Sequence, residues 1–166
     1  GKFSASIEEF NLAISLDSSV PIYFNNRGFS QLKSLNYNSA LNDFDKAIQL
    51  DSNYAGAFNN RGILFAILND YESSLVNYNV AISLMPNYKE AIYGRATISI
   101  LLNRYDDALY DLARVIEIDS CFGPAYYSAG KIFFKVENFD EACTQFINAS
   151  KCGVLEADSI ISKHCK

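Results

Sequence analysis

Five residues recur unchanged at an interval of 34: Phe24-Asn25-Asn26-Arg27-Gly28 and Phe58-Asn59-Asn60-Arg61-Gly62. The same step leads on to Ile92-Tyr93-Gly94-Arg95-Ala96 and then to Tyr126-Tyr127-Ser128-Ala129-Gly130. A period of this length constrains the fold more than any composition does. It marks a repeat array, in which each unit buries its apolar face against its neighbours rather than in one central core.

Within each cycle apolar residues return every three or four positions, the spacing of one helix face, while proline and Asp/Asn/Ser clusters fall only at the joints. The pattern predicts helices over Lys2 to Leu16, Pro21 to Leu35, Ser39 to Leu50, Ala55 to Leu68 and Glu72 to Leu84. It continues with Lys89 to Leu102, Tyr105 to Ile118, Gly123 to Val136, Phe139 to Ala149 and a shorter Leu155 to Lys163. No strand-like alternation competes, so the expected class is all-α.

Small residues follow the same period. Gly28, Gly62, Ala96 and Gly130 fall in the middle of each first helix, and Ala40, Ser74, Ala108 and Ala142 near the start of each second one. An interior helical glycine costs about 1 kcal/mol relative to alanine, so its recurrence calls for a compensating gain. Close approach of two antiparallel helices supplies one, with Phe24, Phe58, Tyr126, Phe44, Tyr78 and Phe146 filling the space around the contact. A third small set, Ala47, Ala81 and Ala149 with Val115 intruding, admits the next helix along.

This pattern resembles the tetratricopeptide repeat: a helix–turn–helix of 34 residues with aromatic and small positions in this order, a tyrosine at the turn and often an exit proline. Tyr37, Tyr71, Tyr105 and Phe139 fill the turn position, and Pro86 is the one exit proline. The resemblance implies a right-handed α-solenoid with a concave groove lined by the first helix of each repeat. On that reading residues 1–166 form a single array: a half repeat at 1–20, full repeats at 21–54, 55–88, 89–122 and 123–154, and a C-terminal cap at 155–166.

The residues expected to face the groove are Asn25, Phe29 and Lys33, then Asn59, Asn60 and Ile63, then Tyr93 and Thr97, then Tyr127, Lys131 and Lys135. Asparagine amides both donate and accept, which suits a peptide backbone of any sequence. Tyrosines add rigid contact area with a polar tip, and the two lysines suggest an acidic-leaning subsite. The expected partner is therefore a protein or peptide. Asn-Arg-Gly also resembles a stretch of the chaperone-binding members, which clamp a C-terminal carboxylate. The match fails where Glu90, Gly94, Asn25 and Phe29 stand in place of the required groups, since a buried carboxylate without cations is poorly compensated. The arginines read instead as structural, with Arg27 pairing Asp43 and Arg95 pairing Asp111, and Asn77 as the exception opposite Arg61.

Other functions find little support. A net charge of −5 gives no attraction to nucleic acid. The longest apolar stretches, such as Gly62 to Leu68, are too short for membrane insertion. The lone His164 has no nucleophile–base spacing around it, and no phosphate loop is present, so neither catalytic residues nor a cofactor are expected. Asn148-Ala149-Ser150 lies in a helix end with a packing alanine, a poor glycosylation site. Cys121, Cys143, Cys152 and Cys165 form no CxxC pair and no zinc spacing with His164, so no metal site is expected. They read as reduced apolar helix residues, with a Cys152–Cys165 disulfide in an oxidising compartment as the alternative. Location is weakly constrained, with the cytoplasm favoured, and Gly1 in place of an initiating Met leaves an upstream segment open. Two further readings remain: a homo-oligomer that stacks through the N-terminal half repeat, and the regulatory part of a larger protein.

Overall fold

The computed structural model describes residues 2–165. Among them are ten α-helices and no strand: α1 Lys2–Leu16, α2 Pro21–Lys33, α3 Tyr37–Leu50, α4 Ala55–Ile67, α5 Tyr71–Leu84, α6 Lys89–Leu101, α7 Tyr105–Ile118, α8 Gly123–Lys135, α9 Phe139–Lys151 and α10 Glu156–His164. They form two compact units, residues 1–91 and 92–166, with the boundary inside α6.

In the first unit α2 pairs with α3 and α4 with α5, α1 packs on α2, and α3 packs on α4. Glycine makes the hairpins tight. A methyl group added at Gly28 would come 2.8 Å from the Phe44 ring, and one at Gly62 would come 3.0 Å from the Tyr78 ring. The third small set works between repeats: Ala47 packs with Ala57 and Phe24, flanked by Ile14, Ile48 and Tyr54. In the second unit α8 pairs with α9, α7 packs on α8, and α10 packs on α9. Gly130 receives the Phe146 ring there, again at 2.8 Å. Ala142, Phe146, Ala149 and Ala157 form the core that joins α9 to α10.

The helix limits depart from the expected ones in a regular way. Leu35, Asn69, Asn103 and Glu137 all have left-handed backbone, with φ of 62°, 60°, 57° and 62°. After each of them an amide reaches back across the turn: Asn36 to the Gln31 carbonyl, Asp70 to Phe65, Arg104 to Ser99 and Asn138 to Phe133, at 2.8–2.9 Å. This is the Schellman stop, which satisfies orphan carbonyls at a helix end. It ends α2 at Lys33 rather than Leu35 and lets α3 begin at Tyr37 rather than Ser39. The recurrent Tyr/Phe position thus opens each second helix instead of lying in the turn. At the far end of α9 Gly153 takes the same role with φ of 88°, and the helix runs two residues past Ala149, to Lys151.

Candidate functional site

The first unit gathers its amides into one chain of hydrogen bonds. Asn60 Nδ2 donates to Asn25 Oδ1 at 2.9 Å. Asn25 Nδ2 donates in turn to the Tyr54 hydroxyl and to Asn26 Oδ1, each at 3.2 Å. Asn59 Nδ2 lies 3.4 Å from Asn60 Oδ1, and Asn59 Oδ1 is buried with no partner among the described residues. Asn25 and Asn59 are each only 5% exposed, so the structure places them inward, where the sequence reading had them facing out. Asn60 is half-buried and, with Asn25, lines a cleft of about 430 Å3 whose other walls include Asp51, Asn53, Tyr54 and Tyr88. Burial pushes the Tyr54 hydroxyl up in pKa, opposed by its bond from Asn25, and burial followed by Glu90 raises that of Tyr88. Phe29 is exposed and carries Lys33 Nζ 5.1 Å above its ring. Ile63 is partly buried against the Leu32–Phe44–Leu64 core.

The second unit is aromatic and cationic. The Tyr93 hydroxyl is 3.3 Å from Ser128 Oγ, and its ring meets Phe122 edge-on at 5.1 Å. Thr97 is exposed, its hydroxyl donating to the Tyr93 carbonyl one turn back. Tyr127 packs against Phe146 at 5.7 Å and has Lys131 Nζ 5.8 Å from its ring. Lys135 Nζ lies 5.2 Å from the Tyr105 ring and donates to Asn103 Oδ1 at 3.2 Å. The two lysines line two clefts. One, of about 210 Å3, is completed by Ile100, Tyr105, Ser128 and Ile132. The other, of about 350 Å3, is completed by Phe134, Phe146, Ile160 and His164.

The structure therefore gathers Asn25, Asn59 and Asn60 into one cluster and Lys131 and Lys135 into another. Phe29, Lys33 and Thr97 lie outside the clefts. Tyr54, Tyr88, Tyr105 and Phe134 were missed as cleft walls. Tyr54 and Tyr88 carried a signal, because they repeat at 34 residues directly before the first helices.

The arginines are held as expected. Arg27 makes two bonds to Asp43 at 2.6 and 2.7 Å, and Arg95 two to Asp111 at 2.7 Å. Each guanidinium pKa is raised, first by its hydrogen bonds to the aspartate. Arg61 divides its bonds between Asn77 at 2.7 Å and Asp45 at 2.5 Å. Such fork-to-carboxylate pairs brace adjoining helices. Among the described residues no group of His, Cys, Asp and Glu could hold a metal ion.

The cysteines need correcting. They are neither free nor joined as Cys152–Cys165: Cys121 pairs with Cys152 and Cys143 with Cys165, with Cα atoms 5.2 and 5.5 Å apart. The chain runs up α8 and down α9, which returns the loop before α8 and the end of α9 to one edge. The first bond thus follows the helical hairpin, and the second ties the end of α10 back to α9.

No protein-family model matches the sequence, and no curated protein does. Solved structures do. The chain is similar to MamA, at 22% identity over 98% of this chain and 92% of that one, with a TM-score of 0.80. It is similar to YrrB, described as a TPR protein with an unusual peptide-binding site, at 22% identity over 98% and 84%, with a TM-score of 0.76. A third likeness is to pilF of Pseudomonas aeruginosa, at 15% identity over 92% and 70%, with a TM-score of 0.86. With ten helices among the described residues and a 34-residue period, the chain has the all-α tetratricopeptide-repeat fold.

Proposed function

We propose that this chain is a non-catalytic protein-interaction scaffold, needing no cofactor, whose first helices bind a partner peptide or helix. The contact residues are Phe29, Lys33, Asn60 and Ile63 on the first unit, where the buried Asn25 and Asn59 position Asn60, and Tyr93, Thr97, Tyr127, Lys131 and Lys135 on the second. One observation carries the reading furthest. Arg27, Arg61 and Arg95 are all neutralised by aspartates, whereas Lys131 and Lys135 have no carboxylate partner among the described residues and rim two aromatic-walled clefts. Unpaired cations beside apolar walls suit an acidic polypeptide segment. The peptide-binding site named for YrrB is consistent with this use of the fold, and a chain of net charge −5 favours protein over nucleic acid as the ligand.

The test is binding of labelled acidic peptides to wild type and to a Lys131→Glu/Lys135→Glu variant by fluorescence anisotropy. The variant is expected to bind at least about tenfold more weakly; equal affinities would remove the lysines from the site. A second reading, self-association through α1, draws on Leu12 and Leu16, which are 63% and 81% exposed. Light scattering at high micromolar concentration decides it, because a monomer there speaks against assembly.

A further inference from the structure

The cleft of about 350 Å3 has a composition that narrows its ligand. Its floor is apolar, formed by Phe134 of α8, Phe146 of α9 and Ile160 of α10, and its rim carries Lys131, Lys135 and His164. Phe146 is fully buried, and the Phe134 ring is held edge-on by Phe139 at 5.2 Å and by His164 at 5.1 Å. An apolar well with a cationic rim favours one large apolar side chain whose sequence neighbours are acidic. A uniformly acidic segment would leave the floor wet, and a purely apolar one would leave two lysines without counter-charge.

The third wall is the weak one. α10 has nine residues, and isolated helices shorter than about 12–15 residues are marginal in water. Its buried anchor is Ala157 alone, with Ile160 and Ile161 half-buried, and the Ser150 hydroxyl bonds Asp158 near its start. Its far end, which carries Ile160 and His164 into the cleft, is tied down by Cys143–Cys165. The other disulfide, Cys121–Cys152, joins the loop before α8 to the end of α9, so it clamps the hairpin and not the cap.

We propose that this cleft binds a leucine- or phenylalanine-type side chain flanked by acidic residues of a partner protein, and that the Cys143–Cys165 bond is what assembles it by fixing α10 as its wall. This rests on the reading of Lys131 and Lys135 as ligand-facing and adds to it the identity of the anchor and the role of the bond. If α10 is docked only part of the time without the bond, apparent affinity falls by that fraction.

The experiment uses the full chain with its disulfides formed and a fluorescein-labelled peptide of one leucine between two pairs of glutamates. Binding is expected to be lost when the leucine becomes serine and when the glutamates become glutamines. A Cys143→Ser/Cys165→Ser variant, with Cys121–Cys152 intact and helicity checked by circular dichroism, is expected to bind about three- to tenfold more weakly. An Ile160→Gln variant, which keeps both disulfides, is expected to lose the leucine preference while retaining dependence on glutamate. A Lys131→Gln/Lys135→Gln variant is expected to bind at least about tenfold more weakly. Affinity unchanged in the cysteine variant, with the lysine dependence intact, overturns the role of the bond alone. Affinity unchanged in the lysine variant overturns the cationic subsite itself. Equal binding of the serine peptide overturns the apolar anchor.

Discussion

At the level of single residues the third repeat departs from the others in a coordinated way. Where Gly28, Gly62 and Gly130 receive Phe44, Tyr78 and Phe146, the period sets Ala96 against Leu112, and both of these are buried. A methyl on one helix is matched by a thinner side chain on the other. Gly28→Ala should therefore destabilise the protein by about 1–3 kcal/mol through overpacking. In a Phe44→Leu background the same change should stabilise, since the methyl then fills space and the helix gains about 1 kcal/mol in propensity. Urea denaturation of the four-member cycle measures this, and additive effects would show that glycine and ring are independent. Tyr78 gives a second test. Its burial holds the hydroxyl up at about 12 against the usual 10. The unfolded chain thus ionises first as pH rises, and the stability this group supplies is present below pH 10 and lost towards pH 12. The loss should reach about 2–3 kcal/mol, and a Tyr78→Phe variant should show a correspondingly flatter alkaline limb of stability against pH.

Helix ends show which parts of the architecture could be read without coordinates. The 34-residue period places every helix, and the small–large register places the contacts of Gly28 with Phe44, Gly62 with Tyr78 and Gly130 with Phe146. The left-handed stops were not readable, because three different kinds of side chain, at Leu35, Asn69, Asn103 and Glu137, occupy one backbone conformation. Asparagine tolerates that region and the other two do not: left-handed backbone costs an ordinary residue roughly 1–2 kcal/mol. Leu35 is 71% exposed, so replacing it sacrifices little burial. Leu35→Gly and Glu137→Gly should raise stability by about 0.5–1 kcal/mol after the entropy cost of glycine in the unfolded chain, and Asn69→Gly should change little. Equal responses at all three sites in thermal melts would show that the turn, not the residue, sets the energy. The amide cluster escaped the sequence for a related reason. Periodicity gives the angle at which Asn25 leaves its helix, but not how near α4 approaches. That approach is what turns an outward position into a buried hydrogen bond to Asn60.

Over the whole molecule the cysteines divide the chain unevenly. All four lie in the second unit, and residues 1–91 contain none. No cysteine is free, and such pairs persist in oxidising compartments while reducing thiols open them in the cytosol. The separations of 31 and 22 residues hid the pairing, although the first is close to one repeat and so returns to the same edge. Native protein denatured without reductant should therefore show no thiols and should map to Cys121–Cys152 and Cys143–Cys165. Closing loops of this size is worth roughly 3–4 kcal/mol each in the unfolded-chain entropy model, less in sum because the two loops overlap. Reduction should therefore speed hydrogen exchange in α8, α9 and α10 while leaving α2 to α4 nearly unchanged, because stability in a repeat array is set by local and nearest-neighbour terms. Exchange that accelerates equally in both units would mean that the chain unfolds as one cooperative body, and that the disulfides stabilise the whole rather than the end that carries the cationic cleft.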